Sequence, residues 1–564
     1  MNLSPERQAI GQTPHIHRPC LFALLLACMG FPGNAAAATA DSDAPVQTLA
    51  TERGVYRVTI RPETGSVPIA EMHNWIVHVE TTAGSVFVPA QLVFMAGMPA
   101  HGHGTPAQPV ITRFLGEGDF LVEGVKFNMT GLWHIVVNVT GPAGPDSIRF
   151  EMNLRNAPMA VDAVVKDWTR DELRVVNSLR LASLRPLPRD FTNRFSGNPD
   201  AIELGQALFF DRNLSASGKT ACADCHEPAR HFTDGKVLSF GSRQTARHSP
   251  SLIGVAYSQW FYWDGRRDSM WSQSVTPIET PGEMDMTRVD AVRFVMTHDA
   301  YRPLFGSLSS VLSDSDIEDQ TRFPAGAGPY GEPQGQQEWQ RMAKEDQVAV
   351  SQAFADIGKT IAVYVETLQP ELSRFDQFAD ELVQGNRRAA YKILDKKERA
   401  GLKLFIDQDR LPCLRCHNGP QLTNHEFHNV ATGFAGDGTY DFGRYVGLQA
   451  ALVDEFNCRG QFSDATREQC DRLKYAAEGH ADQGAFKVPT LRNVGETAPY
   501  MHDGRFDNLR EVIEHYRDVP PVTEVVHEVP QFRLTDKEIV QLVAFLETLT
   551  AKPSSSGSNP LNTR

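Results

Sequence analysis

The sequence predicts a multidomain protein: a small N-terminal all-β sandwich, then two mainly α domains in tandem. Three observations carry this. Between residues 41 and 165, short apolar runs alternate with polar residues and are broken by Gly- and Pro-rich turns, as in half-buried strands. From about residue 170 the apolar residues recur at helical spacing. The pentapeptide C-x-x-C-H occurs twice, as CADCH and CLRCH, 191 positions apart, one in each helical half. A chain of 564 residues has room for about three domains.

Residues 1–40 read as an export signal. Arg7 and Arg18 flank a polar start, CLFALLLACMGF is the apolar run, and NAAAATA supplies small residues for cleavage after Ala40. LLAC at Leu25–Cys28 faintly resembles a lipoprotein site, which would anchor the mature chain through Cys28; the short apolar run before it makes this the minority reading. No later stretch approaches the roughly 18–20 apolar residues of a membrane span. The expectation is an exported, soluble, periplasmic protein. A net charge of −14 argues against nucleic acid and anionic membrane as partners. It suits solubility, or a basic protein partner.

In residues 41–165 the strand-like runs are VYRVTI, NWIVHV, VFVPAQLVF, LWHIVVNV and IRFEMNL, which make a small β-sandwich. Within it LVFMAGMPAHGHG gathers Met95, Met98, His101 and His103, and thioether with imidazole suits copper. The loop weakly resembles that of YtkA-like accessory sandwiches. The competing reading, a glycine-rich turn with incidental histidines, is favoured roughly two to one. The domain could equally dock a partner or position a substrate.

The cysteines sort by position. Cys20 and Cys28 lie in the export signal, Cys222 and Cys225 in CADCH, Cys413 and Cys416 in CLRCH. Cys458 and Cys470 remain, and an oxidising compartment would allow them to pair, although elimination is not proof. C-x-x-C-H is the c-type haem attachment signature. Two thiols three positions apart on a helical turn add to the two haem vinyl groups, and the adjacent histidine comes to lie under the iron. A single copy could be chance or a redox dithiol; two in an exported chain make that reading weak. His226 and His417 are therefore the expected proximal iron ligands, and each helical domain is expected to be cytochrome c-like with one covalent haem. The first spans residues 166–388 and the second 389–550. Pro412 suits the first turn of the second attachment helix.

Phe354, Ile357, Ile361, Tyr364 and Leu368 form one helical apolar stripe, and TDKEIVQLVAFLETL forms another, opened by a Thr535/Glu538 capping box. LREVIEHYRDV is a third: Leu509, Val512, Ile513 and Tyr516 share a face, with Asn508 and Glu511 at its start. The tail KPSSSGSNPLNTR, within residues 551–564, reads as disordered.

From about Pro186 to Leu549 the chain resembles the bacterial di-haem cytochrome c peroxidase family, which includes the methylamine-utilisation protein MauG. The matching text is LGQALFFDRNLSASGKTACADCH, RHSPSLIGVAYSQWFYWDGR, TPIETPGEM and FKVPTLRNVGETAPYMHDGRFDNLREVIEHY, in family order. The resemblance implies that Glu283 is the distal glutamate of the peroxide-binding haem, and that Trp263 lies between the haems and relays electrons. A carboxylate above an open iron can move a proton from one peroxide oxygen to the other; without haems nearby, a solvated loop acid would be the better reading. Members that need reductive activation carry a capping histidine where this chain has Phe240, so the first haem is expected to be open; His248 lies eight residues later. His248 also stands where the family has an asparagine near a calcium. Thr497 and Pro499 match the other calcium positions, through backbone carbonyls, so calcium is an open question.

Tyr516 falls where conventional peroxidases have a methionine ligand to the second haem and MauG has a tyrosine. Met501 is a replacement sulfur only in principle, because the family has no ligand there and packing explains it. A phenolate stabilises ferric and higher iron, whereas a thioether favours ferrous iron. The expected function is therefore an exported di-haem peroxidase that reacts with hydrogen peroxide and oxidises a protein or small-molecule target in the manner of MauG. The alternatives are a conventional peroxidase fed by an electron-donor protein, and a non-enzymatic electron carrier with a metal-binding module. The sequence identifies neither donor nor substrate.

Overall fold

The computed structural model describes residues 45–551 apart from 70, 99–102, 106, 129–130, 155–160, 162, 435–437, 477–481 and 520–526. The export signal, His101 and the tail from Lys552 lie outside the described residues, and nothing is described of the side chain of His103. Strand alternation builds the first region. Its strands are β1 (Gln47–Ala50), β2 (Tyr56–Pro62), β3 (His73–Thr81), β4 (Gln91–Met98), β5 (His103–Gly104), β6 (Val110–Gly116), β7 (Asp119–Val125), β8 (Gly131–Gly141) and β9 (Gly144–Leu154). They pair into two sheets, ordered β1-β2-β3-β7-β6 and β5-β4-β8-β9, with antiparallel ladders throughout.

Inward residues of both sheets share one core. Tyr56, Val58, Trp75, Val77 and Val122 meet Phe94, Trp133, Ile135, Val137 and Phe150. Trp75 and Trp133 are wholly buried, and burying such a side chain contributes roughly 1.5–3 kcal/mol. The period of two also separates the two methionines of β4: Met98 is buried while Met95 is 46% exposed, so their thioethers leave opposite faces of the strand.

The remainder is mainly helical. Lys344–Glu366 is the central helix of the first helical core, packed against Pro199–Phe210 and Met270–Glu279. It is long and apolar enough to cross a membrane, but 83% of its apolar window is buried inside the protein, so it is a core helix. Phe354, Ile357, Ile361 and Tyr364 all lie in that core. Further along, Lys396–Ile406 crosses Asp536–Glu547 in a second core. Each crossing turns on a glycine: a Cβ on Gly205 would strike the Thr360 carbonyl, and one on Gly401 the Gln541 carbonyl. Without side chains there, the backbones approach closely and fix how each helix pair frames its attachment turn.

The β-region docks on the helices through the end of β7. Gly124 lies against the ring of Tyr475, Gln108 N donates to the Tyr475 carbonyl at 2.8 Å, and Ala107 bridges Ala476. Lys126 makes a buried ion pair with Glu426 at 2.7 Å and donates to Gln259 Oε1 at 3.2 Å. Cys458 and Cys470 are disulfide-bonded just before this docking segment.

Candidate active site

Each C-x-x-C forms a single helical turn, Cys222–Cys225 and Cys413–Cys416, with the histidine as its C-cap. His226 N donates to the Cys222 carbonyl at 3.0 Å and His417 N to the Cys413 carbonyl at 2.9 Å. Both imidazoles are oriented alike: Nδ1 meets the Phe232 carbonyl at 3.0 Å in one and the Leu422 carbonyl at 3.1 Å in the other. A carbonyl only accepts, so Nδ1 carries the hydrogen and the Nε2 lone pair is left for a metal. Burial holds His226 below the usual imidazole range and takes His417 down to about 4, so both are neutral at neutral pH. The four thiols are free of disulfides. Burial pushes Cys222 and Cys413 up to about 12 and Cys225 to about 11. A redox dithiol needs a lowered thiol pKa; apolar, protonated thiols beside an oriented imidazole fit covalent haem attachment.

Glu283 stands near the first attachment turn, where its charge is felt by Cys222, Cys225 and Tyr262. Burial raises its carboxyl above the usual range, and the Arg266 guanidinium opposes the rise. The loop carrying Phe240 clamps its backbone: Ser242 N donates to the Glu283 carbonyl and Arg243 N to the Gly282 carbonyl, each at 2.9 Å. A Cβ on Gly241 would lie 2.6 Å from Glu283 Cα, so only glycine permits this contact. Phe240 itself is 57% exposed.

Trp263 is buried and its Nε1 donates to the His248 carbonyl at 2.8 Å. Atoms from the far half of the chain hold it there. Lys487 N donates to the Trp263 carbonyl at 2.7 Å, and His248 N to the His502 carbonyl at 2.8 Å. His248 Nδ1 donates to the Lys236 carbonyl at 2.7 Å. Arg247 joins the two halves through Asp264 at 2.5 Å and both oxygens of Asp441 at 2.8 Å.

A cavity of 300 Å³ is lined by Cys413, Cys416, His417 and Tyr516, and its wall extends to Trp263 and His248. Tyr516 reaches it from helix Leu509–Arg517, whose N-cap Asn508 accepts from Glu511 N at 3.1 Å. Burial first, then the nearby Cys416 and Cys413, raise the Tyr516 phenol well above its usual range. Thr497, Pro499 and Met501 line the same cavity. So does His428, buried and paired with Glu528 at 2.6 Å, which sequence reading missed. Tyr262 and Arg266, whose electrostatics are tied to Glu283, were also missed as site residues, although both stand in the text FYWDGR. Among the described residues no group of three or more His, Cys, Asp or Glu side chains is placed to hold a metal ion. Met95 and Met98 diverge, and His101 lies outside the described residues.

Residues 199–384 match the family model described as di-haem cytochrome c peroxidase. The methylamine utilization protein MauG of Methylophilus methylotrophus is 27% identical over 360 residues, 62% of this chain and 84% of its own. A cytochrome-c peroxidase of Denitromonas iodatirespirans is 28% identical over 361 residues, 64% of this chain and 83% of its own. The crystal structure of the diheme peroxidase BthA of Burkholderia thailandensis aligns over 65% of this chain and 90% of its own, with 20% identity and a TM-score of 0.45.

Proposed function

The chain belongs to the di-haem cytochrome c peroxidase and MauG family and is a peroxidase-type oxidoreductase, and from that premise we propose that it acts in the MauG manner, using hydrogen peroxide to oxidise a protein or small-molecule target. The family implies two c-type haems. Bound at CADCH and CLRCH, they would supply the iron at which peroxide reacts and the redox change that follows.

The chain's own residues then have separable roles. His226 and His417 offer Nε2 to the two irons, with their orientation held by the Phe232 and Leu422 carbonyls. Glu283 takes a proton from one peroxide oxygen and returns it to the departing one. Trp263 carries electrons between the two sites, and the outward-facing Phe240 leaves the first site without a capping ligand. The observation that carries the reading is Tyr516, a buried phenol sharing one cavity with His417, Cys413 and Cys416. Such a phenol stays protonated unless a cation stabilises its anion, and a ferric ion does so. An oxygen ligand favours the oxidised metal, which suits storing oxidising equivalents across both haems.

A conventional peroxidase that passes electrons inward from a donor protein is the alternative. Tyr516 decides between them. Tyr516→Phe removes the oxygen and keeps most of the packing. Its ferric spectrum and second-haem potential are expected to change; an unchanged spectrum and potential would make Tyr516 ordinary core. Copper and calcium form no part of this reading: the two methionines diverge, and imidazole at His248 stands where calcium prefers oxygen. Export to the periplasm is part of it, since residues 1–40 have the composition of a cleaved leader.

A further inference from the structure

Lys487 grips the Trp263 segment at two points. It sits on the short strand Phe486–Lys487, which pairs with Phe427–His428, and its backbone N donates to the Trp263 carbonyl at 2.7 Å. Its ammonium turns back to the same segment, donating to the Trp260 carbonyl at 2.9 Å and to Ser258 Oγ at 3.2 Å. Lys487, Ser258 and Trp263 all line the cavity that holds Cys413, Cys416 and His417. Because Ser258 lines it too, the charged end of Lys487 stands at that wall, and not its backbone alone.

The ammonium lacks a counter-ion. Both of its acceptors are neutral, and among the described residues no carboxylate pairs with it. The Asp264 carboxylate, whose charge reaches it, is already paired with Arg247 at 2.5 Å and Arg266 at 3.1 Å. Taking an ammonium out of water without an anion is costly, and burial pulls this one down to about 8. An apolar side chain at the same place would avoid that cost. Two other cations of the wall are placed differently: Arg492 is paired with Asp376, and Arg415 stands on the attachment turn itself, between its two cysteines. A c-type haem is joined through its vinyl groups and keeps two propionate carboxylates, which are anions of the kind Lys487 lacks.

We infer that Lys487 anchors the haem at CLRCH by one of its propionates, the third N–H of the ammonium donating to that carboxylate. The inference rests on haem attachment at CLRCH and not on the role given to Tyr516. No bond forms or breaks, and an ion pair completes the hydrogen bonding of the ammonium. Lys487 is a positioning residue: its side chain holds the haem and its backbone holds the Trp263 carbonyl, so the two are kept in register by one residue.

The holoprotein is compared as the native chain, Lys487→Met and Lys487→Arg, each shown by its pyridine haemochrome to carry two haems. His417→Ala marks which signals belong to the haem at CLRCH. A nearby cation favours the reduced iron, so Lys487→Met is expected to shift that haem to lower potential in a redox titration. It is also expected to move the haem's propionate bending band in the resonance Raman spectrum. Lys487→Arg keeps charge and donors, and is expected to bring the potential back towards native. A lysine that only braced the Trp260–Trp263 segment would leave the propionate band in place. Unmoved band and potential in Lys487→Met, with both haems attached, overturn the inference and leave the reading of two haems standing. A shift confined to the haem at CADCH also overturns it. A native protein without haem at CLRCH overturns both. Should Lys487→Met fail to load haem, Lys487→Gln, neutral but polar, is read by the same two signals.

Discussion

Burial governs the chemistry of single residues here. It raises the Glu283 carboxyl, and Arg266 opposes only part of that rise. The working base is the carboxylate, so protonation disables it. Reaction with peroxide should therefore fall as pH falls through the raised pKa, on an acid limb above that of an ordinary glutamate. Stopped-flow rates across pH check this, and the limb should vanish in Glu283→Gln. That variant should also be slower by about 10²–10⁴-fold at neutral pH, the usual contribution of a positioned acid–base; a native rate would make Glu283 a loop acid. At the second site the same physics runs through Tyr516. Tyr516→Met should raise the second haem's potential towards that of a thioether-ligated haem, read by redox titration of the holoprotein.

At the scale of elements, two helix crossings decide where the attachment turns lie. Gly401 lets Lys396–Ile406 meet the Gln541 carbonyl directly, and Cys413 follows that helix by a short loop. Gly401→Val should force the helices apart and destabilise the protein by about 1–3 kcal/mol, as overpacking does. A lowered midpoint in denaturant melts of the holoprotein, with a disturbed second-haem spectrum, is the expected result. An unchanged melt would mean that the crossing is looser than its contacts imply. The capping boxes at Thr535 and Ser373 set the starts of two helices in the same core.

Across the whole molecule, the β-region and the helices are joined by a buried charge pair. Lys126 and Glu426 each keep about 7% of their side-chain surface, and breaking such a pair from one side costs roughly 3–5 kcal/mol because the other charge is left buried. Lys126→Met should loosen the β-region and expose the segment around Tyr475 to limited proteolysis, while the covalent haems stay in place. Proteolysis at the native rate would show that the docking does not depend on this pair. The two attachment turns also make a global statement: denatured protein should retain two haems per chain with a c-type pyridine haemochrome. One haem, or haem extracted into acid solvent, would refute the assignment.

Motifs with fixed local spacing were legible in the sequence. CADCH and CLRCH must place two thiols and an imidazole on one turn, and hydrophobic period alone separated the β-region from the helices. The stripe through Leu509, Ile513 and Tyr516 likewise follows from 3.6 residues per turn, and it was enough to aim Tyr516 at a core. Which core it faced depended on chain segments a hundred positions apart, and only their packing brought Tyr516 into one cavity with His417. Tertiary structure also decided the outcome for Met95 and Met98, close in sequence but separated by the strand's alternation, and for Tyr262. The aromatic run FYWDGR names its residues, but not that a left-handed backbone and an overlying Arg266 guanidinium meet at Tyr262. Local spacing is set by bond geometry; the company a side chain keeps is set by the packing of the whole chain.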